Sequence, residues 1–280
     1  MPYVTTPDHT RIHYRDWQPE AKAARGTFVF SHGWGMGGDC WEYQAGALVR
    51  AGHRCITFDR RGCGGSDDPG RGHHFDTYAD DLQLLLSQLD LQDITLVAHS
   101  MGCGEALRYC TRHGGARIAR LVLIAPAAPL LRARADNPDG LPDAFFDGVV
   151  EALLDDRAGF MRIAAPLFFG AGLPDVRVSD AMLDWGVGMA MRASAHATVA
   201  MVDAYSNEDY RPDLVNVRMP CLVIHGDRDV EPTTLERCGR PTAAGIFGAQ
   251  LVVYEGAPHG LFVSHRARLN EDLLRFAGGS

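Results

Sequence analysis

Ile94–Gly104 reads ITLVAHSMGCG, and its reading decides the fold. An apolar, β-branched run suits a strand buried on both faces. It passes into His99, Ser100 and a glycine-rich turn, and then into the helix-forming stretch EALRYCTRH. Ser100 sits at the junction. Ala98-His99-Ser100-Met101-Gly102 matches a G-x-S-x-G turn, with alanine at the first glycine position. A tight strand-to-helix turn of this kind pushes a serine hydroxyl out of the sheet edge and aims backbone N–H groups at the same spot. The plainer reading is a serine that caps a helix. Two partner residues downstream favour a nucleophile.

Outward from this stretch, Thr27–Ser31, Cys55–Phe58, Leu121–Ala125, Cys221–His225 and Leu251–Tyr254 are further apolar runs, and all read as strands. Amphipathic helices are expected near 39–51, 76–90, 101–114 and 265–277. In the second, Tyr78, Leu82, Leu85, Leu86 and Leu89 recur every three or four residues and make one apolar face. The alternation predicts an α/β fold: a mostly parallel sheet flanked by helices. It breaks between 127 and 210, which opens with Pro126-Ala127-Ala128-Pro129 and turns helical and rich in aromatics. A core of 1–126 and 211–280 with an inserted helical cap at 127–210 is therefore expected.

The chain has 280 residues, enough to bury a large core without a metal or disulfide staple. Length alone suggests about two domains, though α/β folds of this size are often one body. Lys and Arg number 27 against 35 Asp and Glu, a net charge of −8. That balance argues against a nucleic-acid surface and against docking on anionic lipid. Seven cysteines, without CxxC spacing, read as reduced and mostly buried thiols. No long apolar span and no secretory pattern is visible, so a cytoplasmic protein is expected.

A free serine hydroxyl is a weak nucleophile and needs a base held by an acid. His259, in EGAPHG, follows one strand, and Asp229, in HGDRD, follows another, both at the edge that carries Ser100. The order Ser100, Asp229, His259 suits a triad on an α/β sheet. Asp227 competes for the acid role, but it lies nearer the strand and suits a turn bonded to its own backbone. His32, His99 and His225 end strands and read as packing or hydrogen-bonding groups around the site. The Gly33–Gly38 loop can turn a backbone N–H toward a developing oxyanion, and the N–H groups of Trp34 and Met101 are the candidates. The loop lacks the register of a nucleotide-binding turn. Asp59-Arg60-Arg61-Gly62 reads as a turn held by an arginine–aspartate network rather than as an anion site. His73 and His74 have no partner at metal-ligand spacing.

The chain resembles the α/β-hydrolase superfamily over nearly its whole length. More narrowly it is similar to the bacterial non-haem chloroperoxidase, arylesterase and γ-lactamase group. The residues that carry the resemblance include FSHGW at 30–34, FDRRGCGGSD at 58–67, LVAHSMGCGEALRY at 96–109, LVIHGDRD at 222–229 and GAPHGLFVSHRARLNEDLLRF at 256–276. The resemblance implies Ser100, Asp229 and His259 as the catalytic residues and Trp34 and Met101 as oxyanion donors, with no cofactor, metal or haem. The sequence departs from the group at Ala98, at Gly35 and over 144–205. Peroxide-using members typically carry proline at position 35, which fixes the loop and aims a carbonyl that favours peroxide attack. The loose match over 144–205 leaves the substrate pocket untransferred.

The expected function is hydrolysis of carboxylic esters, with lactones or amides as related substrates. One alternative is a cofactor-free perhydrolase or haloperoxidase that makes peracids from carboxylic acids and hydrogen peroxide. Another is a non-catalytic scaffold that binds small molecules. The expected partner is a small-molecule ester or related acyl substrate, with no nucleic acid and no membrane. A homo-oligomer is kept open as a further partner.

Overall fold

A computed structural model describes residues 2–20 and 24–278. Eight strands form one sheet in the order β1-β2-β4-β3-β5-β6-β7-β8. They are β1 (Tyr3–Thr5), β2 (Arg11–Trp17), β3 (Thr27–Ser31), β4 (Arg54–Phe58), β5 (Ile94–His99), β6 (Ile118–Ile124), β7 (Cys221–Gly226) and β8 (Gln250–Tyr254). All neighbours from β4 to β8 are parallel, whereas β1 and β2 pair antiparallel at one edge.

The six strands read from apolar runs are present, with small shifts at their ends. The β1–β2 edge was not expected. In β2 only Ile12 and His13 are buried, and Arg11, Arg15 and Asp16 interrupt the run, so no continuous apolar stretch marks it. A half-solvated antiparallel edge needs only one apolar face.

The helices are α1 (Glu42–Arg50), α2 (Phe75–Gln88), α3 (Met101–His113), α4 (Asp143–Phe169), α5 (Asp180–Ala190), α6 (Ala195–Asn207), α7 (Arg211–Leu214), α8 (Arg240–Gly245), α9 (Leu261–Ser264) and α10 (Arg266–Gly278). The helix expected near 39–51 is a short 3₁₀ turn, Gly38–Trp41, followed by α1. Helices α4 to α6 lie in the chain between β6 and β7 and pack on one another. Asp156 interrupts α4 with non-helical angles, and its Oδ1 accepts the Gly159 N–H at 2.8 Å. That side chain caps the second half of α4 and lets the helix change direction.

The central strands of the sheet are buried on both faces. Ile56, Leu96, Leu121 and Val223 pack with Leu82, Leu86, Ala106 and Leu107 of α2 and α3 on one side. Phe28, Phe30, Val122 and Ile224 pack with Leu48 of α1 and Leu269 of α10 on the other. All seven cysteines are free and buried in these layers. Among the described residues no helix is long and apolar enough to cross a membrane.

Candidate active site

β5 ends directly at Ser100, whose backbone lies at φ 55° and ψ −120°. A serine there is strained, because only glycine enters that region without cost. Backbone hydrogen bonds hold the turn. The Ser100 N–H donates to the Ile124 carbonyl at 2.9 Å, and the Ser100 carbonyl accepts the Cys103 N–H at 3.0 Å. Gly102 makes the turn possible, since a Cβ there would lie 2.6 Å from Ser31 Oγ and 2.7 Å from the His32 carbonyl oxygen. Ala98 needs no such room: it is buried in β5, paired with Ser31 and Leu123. Ser100→Gly is expected to be more stable than Ser100→Ala by about 1 kcal/mol, because it relieves this strain. Chemical denaturation of the two hydroxyl-free variants measures the difference, and equal midpoints would show an unstrained turn.

Ser100, His259 and Asp229 converge from three strand ends. Ser100 Oγ lies 2.9 Å from His259 Nε2, and His259 Nδ1 lies 2.6 Å from Asp229 Oδ2. All three residues are buried. Burial by itself would raise the Asp229 carboxyl. The charge of His259 and the hydrogen bonds from His225 and His259 outweigh it and hold the group down at about 2. An ionised Asp229 can only accept, so His259 Nδ1 carries the proton and Nε2 presents a lone pair to the Ser100 hydroxyl. The arrangement can therefore draw a proton from that hydroxyl.

Two further histidines brace this relay. His225 Nε2 lies 3.1 Å from Asp229 Oδ2 and 2.8 Å from the Thr233 carbonyl, which fixes Nε2 as the protonated nitrogen. His99 Nε2 likewise donates to the His259 carbonyl at 3.1 Å. Burial and the neighbouring His259 push the His99 imidazole well below its ordinary pKa, so it stays neutral. Thr233 escaped the sequence reading. Its hydroxyl donates to Asp229 Oδ1 at 3.2 Å and lies 3.1 Å from His259 Nδ1. No spacing rule singles out a threonine four residues past the acid. Asp227 takes a different part from the one expected: its Oδ1 accepts the Gly256 N–H at 2.8 Å, across the turn after β8 rather than within its own.

The loop after β3 runs beside Ser100. A Cβ on Gly33 would lie 3.3 Å from Ser100 Cβ. Trp34 is anchored by its indole N–H, which donates to the Thr198 carbonyl of α6 at 2.9 Å. Neither the Trp34 nor the Met101 backbone N–H has an acceptor among the described residues. Met101 is the first residue of α3, where the helix dipole favours negative charge.

Beneath this loop lies the network expected around Asp59-Arg60-Arg61, and it holds more than aspartates. The fully buried Arg60 donates to Glu105 Oε2 from Nε at 2.9 Å, to Ser31 Oγ at 3.1 Å and to the His32 carbonyl at 2.9 Å. Arg61 pairs with Asp81 and Asp8, and Asp59 accepts the Gly38 and Gly65 N–H groups. His73 bonds to Asp68, and His74 caps α2.

A cavity of about 370 Å³ opens onto Ser100 and His259. Phe145, Val149, Phe160 and Phe168 from α4 and Tyr205 from α6 form much of its wall. The Phe168 ring packs edge-on against His259 at 5.3 Å.

A model of the alpha/beta hydrolase fold family matches residues 26–265. The chain is 41% identical over 278 residues to the non-heme chloroperoxidase CPO-A1 of Kitasatospora aureofaciens, covering 99% of each chain. It is 34% identical over 279 residues to a bifunctional esterase/perhydrolase of Acinetobacter calcoaceticus, again with 99% of each covered. Among solved structures, an esterase from Exiguobacterium antarcticum superposes with a TM-score of 0.91 at 29% identity over 99% of each chain.

Proposed function

The chain belongs to the alpha/beta hydrolase fold family, and from that premise we propose that it is a serine hydrolase that cleaves carboxylic esters through an acyl-enzyme. The observation that carries the reading is the continuous relay from Ser100 Oγ to His259 Nε2 at 2.9 Å and from His259 Nδ1 to Asp229 at 2.6 Å. Ser100 attacks the ester carbonyl as His259 takes its proton. The N–H groups of Trp34 and Met101 receive the oxyanion, and each such donor contributes roughly 3–4 kcal/mol to the transition state. The protonated imidazole returns its proton to the departing alcohol. Water, deprotonated by the same imidazole, then releases the acid and restores Ser100. Helices α4 to α6 act as a cap that gives the pocket its low polarity.

A second reading is favoured by the names of the relatives. Hydrogen peroxide takes the place of water on the acyl-enzyme, and the resulting peracid oxidises bromide. Gly35 speaks against this as the main activity. It lies at φ +65°, a conformation closed to proline, whose ring holds φ near −65°.

Hydrolysis of a short aryl ester by the wild type and by Ser100→Ala tests the proposal. The variant is expected to lose about three orders of magnitude or more in kcat, and a fluorophosphonate should add once, at Ser100. Unchanged turnover in the variant would end the serine-hydrolase reading. Absence of labelling would favour a non-catalytic scaffold. Bromination of monochlorodimedone in acetate buffer with peroxide measures the second reading, and a rate above that of ester hydrolysis would make perhydrolysis the principal activity.

A further inference from the structure

The mouth of the catalytic cavity carries exposed apolar side chains. Seven large hydrophobic side chains are exposed among the described residues, and three of them, Ile163, Leu167 and Val230, line this one opening. Ile163 is 74% exposed, Leu167 62% and Val230 45%. Ile163 and Leu167 lie one turn apart on α4, and Val230 directly follows Asp229. Scattered apolar residues on a surface need no explanation, but a cluster continuous with a pocket does. No lysine or arginine lines the cavity. Glu231, the lining carboxylate apart from Asp229, is held by Arg237 through two contacts of 2.9 and 3.1 Å. Nothing in the wall is left to pair with a charged substrate group.

We propose that Ile163, Leu167 and Val230 form an outer subsite for the far end of an extended alkyl chain, so that the preferred substrates are neutral esters with one medium-length aliphatic chain rather than esters whose acid and alcohol are both short. The inference rests on the serine-hydrolase reading, because the reacting carbonyl must sit at Ser100. From there an aliphatic chain passes the aromatic wall of α4 and emerges along the three exposed side chains. Their exposure in the free protein is what makes the subsite useful. A chain laid across them removes apolar surface on both partners from water.

The test is a series of p-nitrophenyl alkanoates from acetate to dodecanoate, kept below their aggregation limits, with n-alkyl acetates as a second series. The readout in each series is the ratio of kcat/KM for the eight-carbon chain to that for the two-carbon chain. Full burial of a methylene corresponds to about fourfold, and half-burial to about twofold, so four outer methylenes predict a ratio of roughly tenfold or more in the wild type. The double substitution Ile163→Ser with Leu167→Ser should lower that ratio about tenfold in one of the two series. The series that responds identifies whether the chain belongs to the acid or to the alcohol. Both side chains point into solvent, and a melting curve checks that the variant is folded. Val230→Ser, tested alone, is expected to change the ratio in the same direction. A ratio near one in both series for the wild type, or ratios unchanged in every variant, overturns the subsite while leaving ester hydrolysis intact. Loss of self-association in the double variant, read by light scattering with the ratio unchanged, would assign the patch to contact between copies and also overturn it. Failure of Ser100→Ala to abolish turnover is a separate result and strikes the underlying reading instead.

Discussion

Asp229→Asn is expected to lower kcat for ester hydrolysis by roughly 10³–10⁴-fold while leaving the fold intact. The two side chains have the same shape, so packing is retained. The electrostatics are not. Asp229 Oδ2 receives both the His225 Nε2–H and the His259 Nδ1–H, and Oδ1 receives the Thr233 hydroxyl. An amide has one accepting atom. If that oxygen faces the two imidazoles, it holds His259 in the right tautomer but offers no charge to stabilise the imidazolium. If the NH₂ faces them instead, it forces the proton of His259 to Nε2, against the Ser100 hydroxyl, and abuts the His225 N–H. Both arrangements lose transition-state stabilisation with little change in substrate binding, so KM should move far less than kcat. Steady-state kinetics on an aryl ester, with a denaturation curve as control, decides the matter. A loss below tenfold would remove Asp229 from the acid role and direct attention to Asp227.

Arg60→Met is expected to cost about 3–5 kcal/mol of stability, because it strands the buried Glu105 carboxylate. Glu105 and Arg60 are fully buried, and Glu105 Oε1 has no partner among the described residues. Burial pushes the Glu105 carboxyl up while the Arg60 guanidinium pulls it back. Without the guanidinium, only the hydrogen bond from the Ser31 hydroxyl opposes burial, and the folded-state pKa rises further above that of the unfolded chain. The sign follows from linkage: the variant keeps its stability at pH values below the unfolded carboxyl pKa and loses it as pH rises. The deficit relative to wild type should therefore be smaller at pH 5 than at pH 8. Thermal melts should show a fall of about 10 °C near neutrality. The double substitution Arg60→Met with Glu105→Leu should recover most of it, since an apolar pair of similar volume is often as stable as a buried ion pair. A single variant within about 1 kcal/mol of wild type would show that the pair is dispensable. The same guanidinium holds the Ser31 hydroxyl and the His32 carbonyl at the root of the Trp34 loop. The recovered double variant should thus melt normally yet hydrolyse esters more slowly.

Much of this architecture was legible in the chain because burial on two faces demands continuous apolar runs. TFVFS, ITLVA and CLVIH leave little choice but central strands. The convergence of Ser100, Asp229 and His259 was legible for a related reason: in a parallel sheet, every residue just past a strand's carboxyl end reaches the same rim. Edge strands β1 and β2 gave no such signal, since RIHYRDW buries only Ile12 and His13 and carries Arg11, Arg15 and Asp16 around them. The helices between β6 and β7 could be expected but not placed. Phe145, Phe160 and Phe168 carry the same periodic signal whether they fill a core or line a cavity, and only the folded position of α4 sets them around the cavity at Ser100. The Arg60–Glu105 pair and the approach of Thr233 to His259 are invisible for a third reason. Their partners lie on other elements, and no spacing along one element encodes a contact made between two.

The buried sulfur atoms carry a consequence for the redox behaviour of the chain. Burial pushes the Cys55, Cys63 and Cys110 thiols up to about 12, and Cys40 and Cys103 are raised well above the usual thiol range by the same cause. Near neutrality the native state therefore presents almost no thiolate, the species that disulfide exchange and oxidation require. The number of cysteines argues for a reducing milieu, yet the folded molecule makes no such demand. An alkylating or oxidising agent meets its sulfur only when the sheet opens, so the rate of sulfhydryl modification would serve as a clock for unfolding.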